Sequence, residues 1–222
     1  MTHTDRTLAV DVCGTLYDTN TTAGLVTFHH ARRGHRWRFA MMKALTRRRS
    51  MLQQGLILFA KLSRFDAHRA LVLASLRGET LTSLQASATR YVADHLPTHA
   101  IPAAHARVAQ MRASGWQPVL VSNALAPVIE EIARKLELPC IASQPDVQDG
   151  CLTGRLFRDL TGQKRKAIEA YLNHSLDHVQ FAVITDNRSD RDLVAVAYPA
   201  VLVASRTPRK WMRKWDAEIL CH

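Results

Sequence analysis

The chain has 222 residues and a mass of 24.9 kDa, with 47% hydrophobic and 22% charged residues, proportions that exclude a disordered or fibrous protein. Its four cysteines, Cys13, Cys140, Cys151 and Cys221, form no Cys-x-x-Cys pair, which excludes a disulfide scaffold and a zinc finger and suits a reducing cytoplasm. The net charge of +11 favours acidic partners: a phosphorylated substrate, nucleic acid or an anionic membrane surface.

The first six residues are polar and show no leader-like pattern, and no run reaches the roughly 18 apolar residues of a membrane span. A soluble, cytoplasmic protein is expected. Residues 7–12 (TLAVDV) read as a short buried strand with a carboxylate near its end, followed by a tight turn at Cys13-Gly14-Thr15. An acid at the end of a buried strand is costly unless it has a chemical task. From about 21 to 96 the apolar spacing is helical, as in GLILFAKL, HRALVLASL and TSLQASATRYVADHL. Arg77-Gly78-Glu79 separates two of these helices, and Thr80 or Thr82 can cap the next. Eight Lys or Arg residues fall between Arg32 and Arg49, interleaved with Trp37, Phe39, Met41, Met42 and Leu45. A solvated helix face is the simpler reading of that stretch, and peripheral contact with an anionic membrane is the more specific one.

Farther on, residues 105–113 read as a helix, 116–121 (WQPVLV) as a strand ending at Ser122-Asn123-Ala124, and 127–136 as a helix. A short run at 140–143 leads into a hairpin signalled by Asp149-Gly150. A helix at 164–172, a strand at 179–185 ending at Asp186, a helix at 190–197 and a last strand at 200–204 complete the pattern. The tail, 206–215, reads as a docking helix with a basic outer face. Alternating strands and helices predict an α/β fold, a doubly wound, Rossmann-like parallel sheet whose strand ends carry the site. The domain organisation expected is a core of residues 1–20 and 96–222, split by an inserted helical cap at 21–95.

Three strands thus end in Asp11, Ser122 and Asp186, which an open parallel sheet brings to one crevice. With Lys164 they suit magnesium and phosphate. Two carboxylates match the hard-oxygen preference of Mg²⁺, and a hydroxyl, a lysine and turn amides match phosphate oxygens. Taken singly, Ser122 and Asp186 could equally be helix caps.

DVCGTLYD at 11–18, VLVSNA at 119–124, GQK at 162–164 and TDNRSDRDL at 185–193 resemble, in order and spacing, the four motifs of the haloacid dehalogenase (HAD) superfamily. DGCLTGRL at 149–156 further resembles its phosphoserine-phosphatase-like branch, which has a helical cap after the first motif. The resemblance implies a nucleophilic Asp11 that forms an aspartyl-phosphate on a small phosphorylated metabolite. Mg²⁺ would be bound by Asp11, Asp186 and the backbone carbonyl of Cys13, with Asp190 either a further ligand or the partner that orients the lysine. The turn at Gly14 and Thr15, with Ser122 and Asn123, would hold the phosphoryl group, and Lys164 rather than nearby Lys166 would offset its charge.

One position departs from the pattern. HAD phosphatases usually carry a second aspartate two residues after the nucleophile, as acid and then base, and Cys13 stands there instead. A thiol, with its reference pKa of about 8.5, donates weakly and is a poor base towards water. The implied activities are therefore a slow phosphohydrolase, in which Asp18 or water supplies the proton, a dehalogenase- or phosphonatase-like reaction, or a binding protein that has lost catalysis. Nucleic acid ranks below a small molecule as partner. His29, His30, His35 and His68 of the cap could meet an anionic substrate, but without a paired acid or ligand spacing a packing or solvent role is the simpler reading. Arg32, Arg33 and Arg36 are candidates for a second acidic group of the substrate.

Overall fold

The computed structural model describes residues 6–46 and 66–222. The expected apolar run GLILFAKL lies outside the described residues. Seven strands form one sheet in the order β4-β3-β2-β1-β5-β6-β7. They are β1 (Arg6–Val10), β2 (Gln117–Leu125), β3 (Cys140–Gln148), β4 (Cys151–Arg158), β5 (Gln180–Thr185), β6 (Ala200–Ala204) and β7 (Glu218–Cys221). All neighbours are parallel except β3 and β4, which are joined by the hairpin turn at Asp149 and Gly150, both at positive φ. Helices α1 (Thr21–Arg32), α2 (Arg36–Thr46), α3 (Ala67–Ala74) and α4 (Leu81–Asp94) lie between β1 and β2 in sequence; α5 (Pro102–Ala113), α6 (Ala126–Leu136), α7 (Lys164–Leu172) and α8 (Arg191–Val194) follow.

The two-residue period of the strands divides the core. Leu8 and Val10 of β1, Leu120 of β2 and Ile184 of β5 pack into one cluster with α1, α4 and α6. Ala9, Val119, Val121, Phe181 and Val183 point the other way, into a second cluster with α7 and β6. Both faces of the central strands are therefore covered, which is why these strands read as unbroken apolar runs rather than alternating ones. Full burial of a side chain such as Leu8 contributes roughly 1.5–3 kcal/mol. Thr80 caps α4, its hydroxyl accepting from the Ser83 amide at 3.2 Å.

Three expectations are corrected at the carboxyl-terminal edge. The helix at 190–197 is a 3₁₀ turn followed by the four residues of α8, because Pro199 disfavours helical backbone at Tyr198. The tail forms no docking helix. A single 3₁₀ turn at Met212–Lys214 drops Met212 into the second cluster, with Trp211 and Trp215 packed against it. The strand at 200–204 is not the last: β7 pairs with β6 at the sheet edge, and its four residues are too few for a period to show.

Candidate active site

Parallel pairing sets the site's framework. Val10 of β1 stands beside Leu120 of β2 and Ile184 of β5, so the chain that continues beyond each strand emerges at one end of the sheet. Asp11 extends the β1 ladder by one bond, its amide donating to the Ile184 carbonyl at 2.9 Å. Asp186 follows β5 directly. The Asp11 side chain is 5% exposed, as the carboxylate of a buried strand end must be.

The two candidate lysines differ in placement. Lys164 begins α7, is buried, and donates from Nζ to Asp11 Oδ1 at 2.8 Å and to Asp190 Oδ2 at 2.7 Å. Lys166 is exposed on the same helix. Burial alone would discharge an isolated ammonium, but the two carboxylates outweigh it and raise the Lys164 pKa above its ordinary value. Asp190 is saturated: Oδ2 also accepts from Thr185 Oγ1 at 2.8 Å, and Oδ1 from Ser189 Oγ at 3.2 Å.

Thr15 links the remaining two acids. Its hydroxyl accepts from the Asp186 amide at 2.9 Å and lies 3.3 Å from both Asp11 Oδ2 and Asp186 Oδ1, so its one proton can reach only one of them. The chain passes through this gap at Gly14, with φ +77°. A Cβ there would stand 2.6 Å from Asp186 Oδ2; both the backbone angle and the space require glycine.

Charge is not balanced at this point. Asp11, Asp186 and Asp190 face one buried cation, Lys164; Arg209 approaches Asp186 Oδ2 only at 3.7 Å from an exposed position. Burial, then the neighbouring Asp11 charge, pushes the Asp186 carboxyl up to about 6. Two convergent carboxylates carrying uncompensated charge are the donor set a hard divalent cation fits.

Cys13 borders the site. Its Sγ lies 3.0 Å from Thr21 Oγ1, and burial, followed by the Asp11 charge, raises the thiol pKa above its ordinary value. At neutral pH it is a thiol. A cavity of about 1140 Å³ opens beside Cys13 and Gly14 and runs past Thr22, Phe28, Tyr91 and Asn123.

Ser122 is fully buried and its hydroxyl accepts from the Ala124 amide at 3.2 Å. It and Asn123 lie inside β2, at a register shift against β3, rather than beyond the strand end. The second-anion candidates of the sequence are misplaced: Arg32, Arg33 and Arg36 are exposed, and none lines the cavity. Arg69 does. It donates from Nη2 to the Asn123 carbonyl at 2.6 Å and to Ser143 Oγ at 3.3 Å, and from Nη1 to both oxygens of Asp159 at 2.8 Å. In sequence Arg69 is one arginine of an amphipathic helix, and no local signal marks it.

A family model described as haloacid dehalogenase-like hydrolase matches residues 8–195. The chain belongs to this family. Within the HAD-like hydrolases, a curated relative is phosphoserine phosphatase SerB2 of Mycobacterium tuberculosis, 28% identical over 167 residues that cover 67% of this chain. The match spans 40% of that relative's length. Among solved structures, a Bordetella pertussis Tohama I protein of unknown function superposes with a TM-score of 0.76 at 19% identity, covering 97% of this chain and 99% of that one. A phosphoserine phosphohydrolase-like protein from Francisella tularensis gives 0.64 at 14%, covering 97% and 94%. A phosphoserine phosphatase in its apo form gives 0.62 at 14%, covering 96% and 92%. These likenesses establish the HAD Rossmann-like fold.

Proposed function

We propose that this chain is a magnesium-dependent phosphoric monoester hydrolase, acting on a small phosphorylated substrate through an aspartyl-phosphate at Asp11. The observation that carries the reading is the placement of Asp11 at the head of β1, one oxygen held by Lys164 and the other beside Thr15 and Asp186. The resemblance to phosphoserine phosphatases, one of them a curated relative, supports the phosphomonoester class.

Asp11 and Asp186, with the Cys13 carbonyl, would hold Mg²⁺, which when bound supplies positive charge to the phosphoryl oxygens. Asp190, occupied on both oxygens, is assigned to orienting Lys164. Asp11 Oδ2 attacks phosphorus, the ester P–O bond breaks, and the departing oxygen takes a proton. Lys164, the Gly14 and Thr15 turn, Ser122 and Asn123 hold and neutralise the transferring group. Residues 21–95 are assigned to the cap, whose described helices line the cavity and would keep bulk water from Asp11, and residues 1–20 and 96–222 to the core.

The Cys13 thiol can protonate a departing alkoxide, the stronger base; the thiolate this leaves takes a proton back from solvent, because burial and the Asp11 charge hold its pKa above the ordinary value, and the restored thiol cannot draw a proton from the attacking water. Release of phosphate from Asp11 is therefore the slow step. The test is phosphate release from aryl and metabolite phosphates with and without Mg²⁺, in the wild type and in Asp11→Asn. Magnesium-dependent release lost in the variant supports the assignment. Wild-type silence, with turnover only in Cys13→Asp, would instead make the protein a phospho-ligand binder, the second reading that the Cys13 environment favours.

A further inference from the structure

The positive charge is not spread over the molecule. Ten of the thirty Lys and Arg residues, and none of the nineteen Asp and Glu, fall within 21–65; the remainder of the chain is nearly neutral. The described part of this stretch, α1 and α2, sorts its side chains sharply. Met42 and Leu45 are buried in the main core. Arg38 and His35 turn towards buried Glu79, at 2.8 and 3.2 Å. On the opposite side Arg36, Ala40 and Lys43 are exposed one turn apart, with Trp37 beside them at 69% exposure. Among the described residues no carboxylate pairs with Arg32, Arg36 or Lys43.

We infer that this face of α2 docks on an anionic lipid bilayer, with Trp37 seated at the headgroup level and Arg36 and Lys43 against lipid phosphates. A solvated helix face explains the charges but not a large aromatic left in water among them, since exposing an indole forfeits its burial. A tryptophan bordering a basic helical stripe suits the membrane interface, where the indole sits at the headgroup level and the cations meet anionic lipid. The contact is peripheral: no helix among the described residues is long and apolar enough to cross a membrane. The inference stands independently of the phosphatase chemistry. It does bear on access, because α1 and α2 also supply Phe28, Ala31 and Phe39 to the cavity beside Cys13.

The test is sedimentation of the full chain with vesicles of phosphatidylcholine alone or mixed with phosphatidylglycerol, across a salt series. Binding is expected only with the anionic vesicles, declining as salt rises. Each lost cation should weaken it about fivefold, so Arg36→Gln with Lys43→Gln together weaken it about 25-fold. Trp37→Phe should remove the emission shift seen on vesicle addition. Phosphate release from a soluble substrate should be unchanged in these surface variants. Equal binding to both vesicle types, binding indifferent to the three substitutions, or binding to duplex DNA or RNA in place of vesicles overturns the inference.

Discussion

The Lys164 ammonium stands 2.8 Å from Asp11 Oδ1, so one oxygen of the proposed nucleophile is engaged and the other is left beside Thr15. Both partners are 5% exposed, and a buried pair of this kind destabilises the fold when only one member is removed. Lys164→Ala strands Asp11 and Asp190 together. We expect it to cost about 3–5 kcal/mol in urea unfolding and to abolish phosphate release; retained release with intact stability would remove Lys164 from the proposed machinery.

Gly14→Ala tests the close approach to Asp186. The left-handed backbone angle costs a non-glycine residue roughly 1–2 kcal/mol, and the added methyl must displace the Asp186 carboxylate. Magnesium affinity measured by calorimetry should fall, with a drop of about 100-fold in kcat/KM.

Cys13 makes a kinetic prediction. Slow hydrolysis of the aspartyl-phosphate should give a burst of alcohol product approaching one per enzyme in stopped-flow assays, before a slower steady state. Cys13→Asp, which restores a carboxylate base, should remove the burst and raise kcat by about 10²- to 10⁴-fold. A linear time course in the wild type would place the slow step elsewhere.

His30 should make stability depend on acid. It is fully buried, its Nε2 donating to Ser75 Oγ at 3.1 Å while that hydroxyl donates to the Val72 carbonyl; Nδ1 has no hydrogen-bond partner among the described residues. Burial, then the neighbouring His29, depresses its pKa from 6.5 to about 4. The unfolded chain therefore binds a proton more readily, so stability from this group is fully present above about 6.5 and is lost as pH falls through about 4. Its share is about 3 kcal/mol, and urea midpoints at neutral and acid pH should diverge less in His30→Gln.

Arg69 ties α3 to Asn123 of β2 and Ser143 of β3. Arg69→Ala should speed amide exchange across α3 and raise KM more than it lowers kcat, as expected of a residue that positions the cavity wall. Exchange unchanged from the wild type would deny it that role.

Much of this was legible from local pattern, because its causes are local. Apolar runs of strand length, the Asp149-Gly150 turn and the 164–172 helix follow from periodicity and turn chemistry, and Asp11, Asp186 and Lys164 stand in motifs of fixed spacing. Motif spacing in the sequence favours Lys164 over Lys166; the burial of Lys164 between Asp11 and Asp190 is a tertiary contact that spacing does not show. The edge strand β7 and the tail were misread because four residues carry no period, and because Met212 and the two tryptophans could satisfy their burial with a single turn.

The sequence by itself determined the α/β alternation, the carboxylates at the strand ends and the concentration of positive charge before residue 66. Only the tertiary structure decided which charges meet. Parallel register set Asp11 beside the end of β5, packing turned Arg38 inward and Trp37 outward, and α3 carried Arg69 to the Asn123 carbonyl. Such contacts join residues far apart in sequence, 153 positions between Asp11 and Lys164 and 171 between Thr15 and Asp186, and are fixed by burial of the whole core rather than by any preference readable within one segment.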